Sequence, residues 1–234
     1  MNNNVIGNGQ LAKAFHNFLD NNVVILASGV SNSNCTDKQQ FEREKNLLVD
    51  TLNKNKDTKF VYFSSCALSA DEYPQNDYYR HKESMENIIK KYSNNYYIFR
   101  LPQLFGDLIL HKTLINFIYK SIEHNHKFNV YDEAYRYVIE INDVRKIVET
   151  YLKHHDSCMT IDIANTYRYK VLDIVETFEN LLNKKADYEI VKKEDKYILD
   201  LFHNNTFIKE HNLNILFGKN YLKHHLKKKI KKGK

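Results

Sequence analysis

Tyr78 and Lys82 stand in a Tyr-x-x-x-Lys spacing within "NDYYRHKESMENII", residues 76 to 89, a stretch patterned as a helix. A free phenol has a pKa of about 10 and is a poor base at neutral pH. A neighbouring ammonium, together with a cationic nicotinamide, favours phenolate and lowers that value. Such a phenol could accept or donate the proton that accompanies hydride transfer. Tyr78, Lys82, Met85 and Ile89 fall on one helical stripe, expected to face the protein. A lysine on an inward stripe needs a task or a partner. The plain alternative is a lysine that snorkels to water. Tyr79, Glu83, Glu86 and Lys90 form the neighbouring stripe, expected to be wet. Asn76 or Asp77 could cap the helix.

A second chemical signal opens the chain. "GNGQLA" places Gly7, Gly9 and Ala12 in a G-x-G-x-x-A pattern, with Gln10 and Leu11 inside it. It lies where a short apolar run ends and a helix begins, the context of a dinucleotide-binding turn. Its glycines would let the backbone approach a pyrophosphate at a helix N-terminus. A tight turn with no ligand is equally compatible with this motif alone. An acidic residue about 20 positions further on should hold the adenosine ribose. Ala27, Ser28 and Gly29 occupy that region, and no arginine stands there to favour a 2′-phosphate.

The elements that must position these residues alternate. "NVIG" and "NVVILAS" read as strands, the second buried on both faces. "QLAKAFHNFL" between them has Leu11, Phe15, Phe18 and Leu19 at helical spacing. "DKQQFEREKNLLVDTLNKN" reads as an amphipathic helix with Phe41, Leu47, Leu48 and Leu52 inward, followed by the strand "KFVYFSS". After the Tyr–Lys helix come "NYYIFRLP" as strand, "TLINFIYKSI" as helix, "RYVIEI" as strand, "DVRKIVETYL" as helix, "CMTIDIA" as strand and "VLDIVETFENLL" as helix. This alternation predicts βαβ units and a parallel sheet covered on both faces. The expected class is α/β, a shortened Rossmann-like doubly wound sheet with a small C-terminal α/β lobe. The expected boundary sets a dinucleotide-binding domain at 1–165, with 106–133 contributing to the lobe, against a substrate lobe at 166–234.

Composition narrows the function classes. The chain has 234 residues, 42% hydrophobic, with only 2 prolines and 6 glycines, enough for a core and short of what long linkers use. No apolar run approaches the roughly 20 residues of a membrane span, and "MNNNVIGNG" lacks a signal-peptide pattern. Cys35, Cys66 and Cys158 have no metal-ligand spacing and read as free thiols of a cytoplasmic protein. The net charge of +6 is owed to the six lysines of residues 227–234. The remaining body is neutral, which argues against nucleic-acid binding. The tail reads as a frayed, solvated helix end. His154–His155 and His224–His225 suggest metal ligands, but adjacent helical residues point about 100° apart. With no carboxylate cluster near them in sequence, no metal site is expected.

Taken in order, these motifs resemble the extended short-chain dehydrogenase/reductase family, the NAD(P)-dependent epimerase, dehydratase and reductase group acting on nucleotide sugars. "VIGNGQLAKAF" looks like its glycine turn and "VVILASG" like its strand ending in Leu-Ala-Ala. "FVYFSSCALSA" is similar to the strand carrying its catalytic Ser or Thr. "YYRHKESME" is similar to its Tyr-x-x-x-Lys helix, and "FRLPQLFG" and "YRYVIEINDV" to its later strands. The resemblance implies NAD or NADP as cofactor and a nucleotide sugar as substrate. Gly7, Gly9, Gln10, Leu11, Ala27 and Ser28 would line the cofactor, and Pro102 would border the nicotinamide. It implies Ser65 as the hydroxyl on the reacting oxygen, Tyr78 as acid/base, and Lys82 as the group that lowers its pKa and binds the nicotinamide ribose. Cys66, Gln103 and Arg136 would meet substrate, the arginine gripping pyrophosphate in a bidentate manner. Without the resemblance, Ser65 is a strand-end hydroxyl and Arg136 a surface charge. A homodimer is compatible with it.

The chain also departs from the pattern. Between the glycine turn and "VVILASG" it is far shorter than the family. By resemblance that strand is the family's fourth, so the second and third are missing; by spacing alone it is the second. The expected activity is NAD(P)-dependent reduction or epimerisation of a nucleotide-linked sugar, for a surface polysaccharide. Dehydration fits less well, because Cys66-Ala67 offers no acid/base pair after the serine. The other reading is a non-catalytic nucleotide or nucleotide-sugar binder on a degenerate Rossmann fold.

Overall fold

The computed structural model of the chain describes residues 4–71 and 73–232. In chain order the elements begin with β1 (Val5–Ile6), α1 (Gln10–Ala14), β2 (Val23–Leu26), α2 (Lys38–Lys54), β3 (Lys59–Ser65), α3 (Asp77–Tyr92) and β4 (Tyr96–Leu101). There follow β5 (Gln103–Phe105), α4 (Leu114–Glu123), β6 (Phe128–Arg136), β7 (Val138–Glu140), α5 (Ile141–His154) and β8 (Met159–Asp162). The chain closes with β9 (Tyr169–Lys170), α6 (Val171–Leu182), β10 (Tyr188–Asp195), α7 (Phe202–Glu210) and α8 (Tyr221–Lys232). Two units share them: residues 1–101 with 145–163, and residues 102–144 with 164–234.

The first unit is a five-stranded parallel sheet in the order β1-β2-β3-β4-β8. All four residues of β2 are buried, as a continuous apolar run in a sheet covered on both faces should be. Alternation along β3 sorts its two faces. Phe60 and Tyr62 pack with Leu48 and Leu52 of α2 and Met85 and Ile89 of α3. Phe63 faces the other way. Its ring lies 5.7 Å from Phe15, at the end of α1, and 6.4 Å from Phe99, which meets Tyr151 of α5 at 5.8 Å. Local chemistry sets the helix starts. Asp37 accepts from the Gln39 and Gln40 amides, and Asn76 accepts from the Tyr79 amide.

Spacing alone makes β2 the second strand, and resemblance makes it the family's fourth. In the sheet each strand lies beyond the last. The steps β1 to β2 and β2 to β3 run in the same direction, yet α1 covers the face opposite to α2. The first crossover therefore has the opposite hand to the next two, which agree with each other. Parallel crossovers are nearly always of one hand. Helix α1 is also short. The expected helix over residues 10–19 ends at Ala14, and Leu19 is 96% exposed, because the chain must return to β2 at Val23.

The second unit holds a three-stranded sheet in the order β10-β6-β9 and the pair β5–β7. Its C-terminal helix is docked and not frayed as expected. Leu222 and Leu226 are fully buried, and Lys229 Nζ donates to Glu140 at 2.7 Å. No helix among the described residues is long and apolar enough to cross a membrane.

Gly7 has φ +134°, and a Cβ there would stand 2.4 Å from the Ala27 carbonyl oxygen. Gly7→Ala should thus lower stability by about 1–3 kcal/mol in urea unfolding. A Cβ on Gly9 meets nothing within 4 Å, so Gly9→Ala should cost much less.

Candidate functional site

The turn after β1 is split in character. Gly7 is required by its packing on the end of β2, with or without a ligand. Gly9 caps α1 and is exposed with open space around it, and Asn8 beside it is exposed too. Gln10 and Leu11 are half-buried, and the buried Gln10 side-chain oxygen meets no hydrogen-bond donor among the described residues. Ala27 and Ser28, half-buried at the end of β2, supply no carboxylate. Ser65 is half-buried at the end of β3, and Cys66 after it is fully buried.

Tyr78 and Lys82 both point inward, 8% and 3% exposed. The ammonium, however, is engaged elsewhere. Lys82 Nζ donates to Glu44 Oε1 at 2.9 Å and to the Tyr62 hydroxyl at 3.0 Å. The Tyr62 hydroxyl donates to the same carboxylate oxygen at 2.7 Å. Glu44 Oε2 accepts from the Val30 amide at 2.7 Å and lies 3.0 Å from His81 Nε2. Glu44 is 0% exposed, and all of its accepting capacity is spent on these four groups. Burial pushes its carboxyl upward, but Lys82, His81, Tyr62 and Val30 together hold it well below the ordinary value. The phenol beside the ammonium is therefore that of Tyr62, itself raised well above its ordinary value by burial and by Glu44.

Tyr78 is raised too, by burial first and then by Tyr79, Glu44 and Cys66. The expectation was a lowered value. The reason for the difference is burial: Val30 and Cys35 pack over Tyr78, and Lys82, 5.9 Å from the centre of its ring, is paired with Glu44. The backbone at Gly29 presses on the same pair. A Cβ there would stand 2.7 Å from Glu44 Oε1 and 2.8 Å from Lys82 Nζ. Glu44 escaped the sequence reading, although it sits on the inward stripe with Phe41 and Leu48. The argument made for Lys82 applied to it equally.

The neighbouring stripe was expected to be wet. Glu86, instead, is 1% exposed and bidentate with Arg100, at 2.9 and 2.7 Å. Arg100 also donates to Ser69, which donates to Asp162 at 2.6 Å. Asp162 is pushed up to about 6, chiefly by burial, against the pull of Ser69 and Arg100.

In the second unit, Pro102 and Gln103 are half-buried, Gln103 at the start of β5. Arg136 ends β6. Its guanidinium pairs with the Asp195 carboxylate and donates to the Tyr135 and Asp195 carbonyls at 2.8 and 3.0 Å. The cation expected to grip pyrophosphate thus has an internal anion. His225 does have carboxylate company, contrary to the expectation from sequence: Glu140, Asp143 and His225 offer ligand atoms within 4.8 Å of one another. Lys229 on Glu140 and the Tyr221 hydroxyl on Asp143, at 2.7 Å each, already answer those carboxylates.

No family model matches the chain, and no curated protein sequence does. Solved structures do match. UDP-glucuronic acid 4-epimerase from Bacillus cereus, in complex with NAD, aligns with a TM-score of 0.73 at 18% identity, covering 96% of this chain and 78% of that one. The chain has the fold of the extended short-chain dehydrogenases/reductases. dTDP-glucose 4,6-dehydratase from Bacillus anthracis, with NAD, aligns at 0.71 and 16% identity over 90% of this chain and 71% of that one. dTDP-4-dehydrorhamnose reductase from the same organism, with NADP, aligns at 0.68 and 13% identity over 90% and 80%. The Rossmann-like α/β class expected from sequence is the one observed, in a chain shorter than these enzymes.

Removing one member of the buried pair leaves the other charge uncompensated. Lys82→Met should lower stability by about 3–5 kcal/mol, and Glu44→Gln/Lys82→Met by clearly less, measured by urea unfolding. Because the folded Glu44 carboxyl lies below its ordinary 4.5, its contribution is present above that pH and lost as pH falls below it. A urea midpoint that drops in this acid range in the parent, and drops less in the double variant, is the expected result.

Proposed function

We propose that this chain is a nucleotide-binding protein on a short-chain dehydrogenase fold, in which the hydride-transfer device is held out of use. The observation that carries the reading is the burial of Lys82 with two of its three donors on Glu44 and Tyr62. An ammonium paired with a buried carboxylate draws a neighbouring phenol down less and has at most one donor left for a ribose diol. Arg136, paired with Asp195, repeats the pattern on the substrate side. The residues present fit the phosphate end of a dinucleotide, where the Gly9 backbone is open and exposed. They do not fit its nicotinamide end, where Tyr78 is covered and Lys82 is taken. The ligand is NAD, NADP or the nucleotide part of a nucleotide sugar, held through phosphate against the Gly7–Gly9 turn. The fold likeness to enzymes solved with NAD and NADP supports this choice of ligands.

A second reading keeps the redox reaction: reduction or epimerisation of a nucleotide sugar for a surface polysaccharide, with NAD or NADP supplying the hydride chemistry when bound. What favours it is the collinear order of Ser65, Tyr78 and Lys82 on the elements that carry them in such enzymes. It requires Lys82 to leave Glu44 and Tyr78 to lose its cover.

Titration with NADH, NADPH and UDP- or dTDP-sugars, read by fluorescence and calorimetry, separates the two. The expected outcome is saturable binding without loss of nicotinamide absorbance, and equal binding by Tyr78→Phe. Gly9→Asp should abolish binding at unchanged stability, since the fold has room there and a carboxylate repels phosphate. Turnover that Tyr78→Phe removes would establish the redox reading instead.

A further inference from the structure

We infer that residues 29–36, "GVSNSNCT", form a strap closed over Tyr78, and that Glu44 is its catch. The inference rests on the nucleotide-binding reading and names what governs that site. Three ties hold the strap. The Val30 amide donates to Glu44 Oε2 at 2.7 Å. The Asn76 side-chain amide, at the cap of α3, donates to the Ser33 carbonyl at 2.9 Å. Val30 and Cys35, 4% and 8% exposed, pack on Tyr78, with Phe41 and Tyr79 around them. Between those ties, Ser31, Asn32 and Asn34 are exposed, and the strap folds on itself through the Cys35 amide on the Asn32 carbonyl and the Asn34 amide on the Asn32 side chain.

This makes Glu44 a positioning residue with two tasks. One oxygen neutralises Lys82 and receives Tyr62; the other receives the strap and His81. The Gly29 position leaves no room for a Cβ beside the Glu44–Lys82 pair, and the next residue donates to Glu44, so pair and strap are tied through that carboxylate. The strap buries two small apolar side chains and no sheet hydrogen bonds. Segments of that kind open locally without unfolding the sheet beneath. What opening admits is more of the nucleotide that the reading above places against the Gly7–Gly9 turn.

Thiol labelling tests the strap directly. Cys158 is exposed, Cys35 is buried on the strap's inner side and Cys66 is buried in the turn that follows β3. With a disulfide reagent and peptide mapping, Cys158 should react first in the parent chain. In Glu44→Gln and in Val30→Ala, a loss of about 1.4 kcal/mol of closure should speed Cys35 roughly tenfold. Cys66 should keep its parent rate. Cys35 and Cys66 speeding together, or Cys35 unchanged in both variants, overturns the strap. Val30→Ala leaves the ion pair intact and carries the test if Glu44→Gln does not fold. NADH and NADPH titrations of the same variants test the occupant: roughly tenfold tighter binding than the parent is expected, and equal binding rejects the gating role. A parent and variants that bind no nucleotide, with Cys35 still selectively exposed, would keep the strap and reject the nucleotide reading.

Discussion

The buried pair of Glu44 and Lys82 is the constraint on which this unit turns. Two charges removed from water are costly, and their mutual attraction offsets that cost only when their remaining hydrogen-bonding capacity is met. Here it is met by Tyr62, Val30 and His81. The node thereby joins α2, α3, β3 and the loop after β2 at one point. Such a node contributes less to net stability than an apolar replacement would. It is difficult to dismantle one residue at a time, because each single loss strands a charge.

The same logic recurs across the chain. Arg100 is spent on Glu86 and Arg136 on Asp195. Each is a cation that a ligand-binding protein of this fold could present outward, and each is answered by an anion of the chain itself. The pattern separates fold from activity. The sheet and its helices persist at low sequence identity, whereas chemistry depends on a few side chains being left unsatisfied until a ligand arrives.

Much of the fold was legible because its signals are local. Strands such as "KFVYFSS" and helices such as "VLDIVETFENLL" announce themselves through runs and periodicity, and the structure places them at those residues. The inward direction of Lys82 was also legible. Its partner was not: Glu44 lies 38 positions away, on a different helix. Glu86 was misread for the same reason, since its mate Arg100 belongs to the next strand. Helix α1 was predicted too long because an apolar period says nothing of how soon the chain must turn back.

An open sheet must end somewhere, and among the described residues one of its ends is β1, Val5–Ile6. A long open edge displays a row of unpaired amides and carbonyls that recruits strands from other chains. Two residues offer almost no such template. A margin this short gives strands of other chains little to pair with.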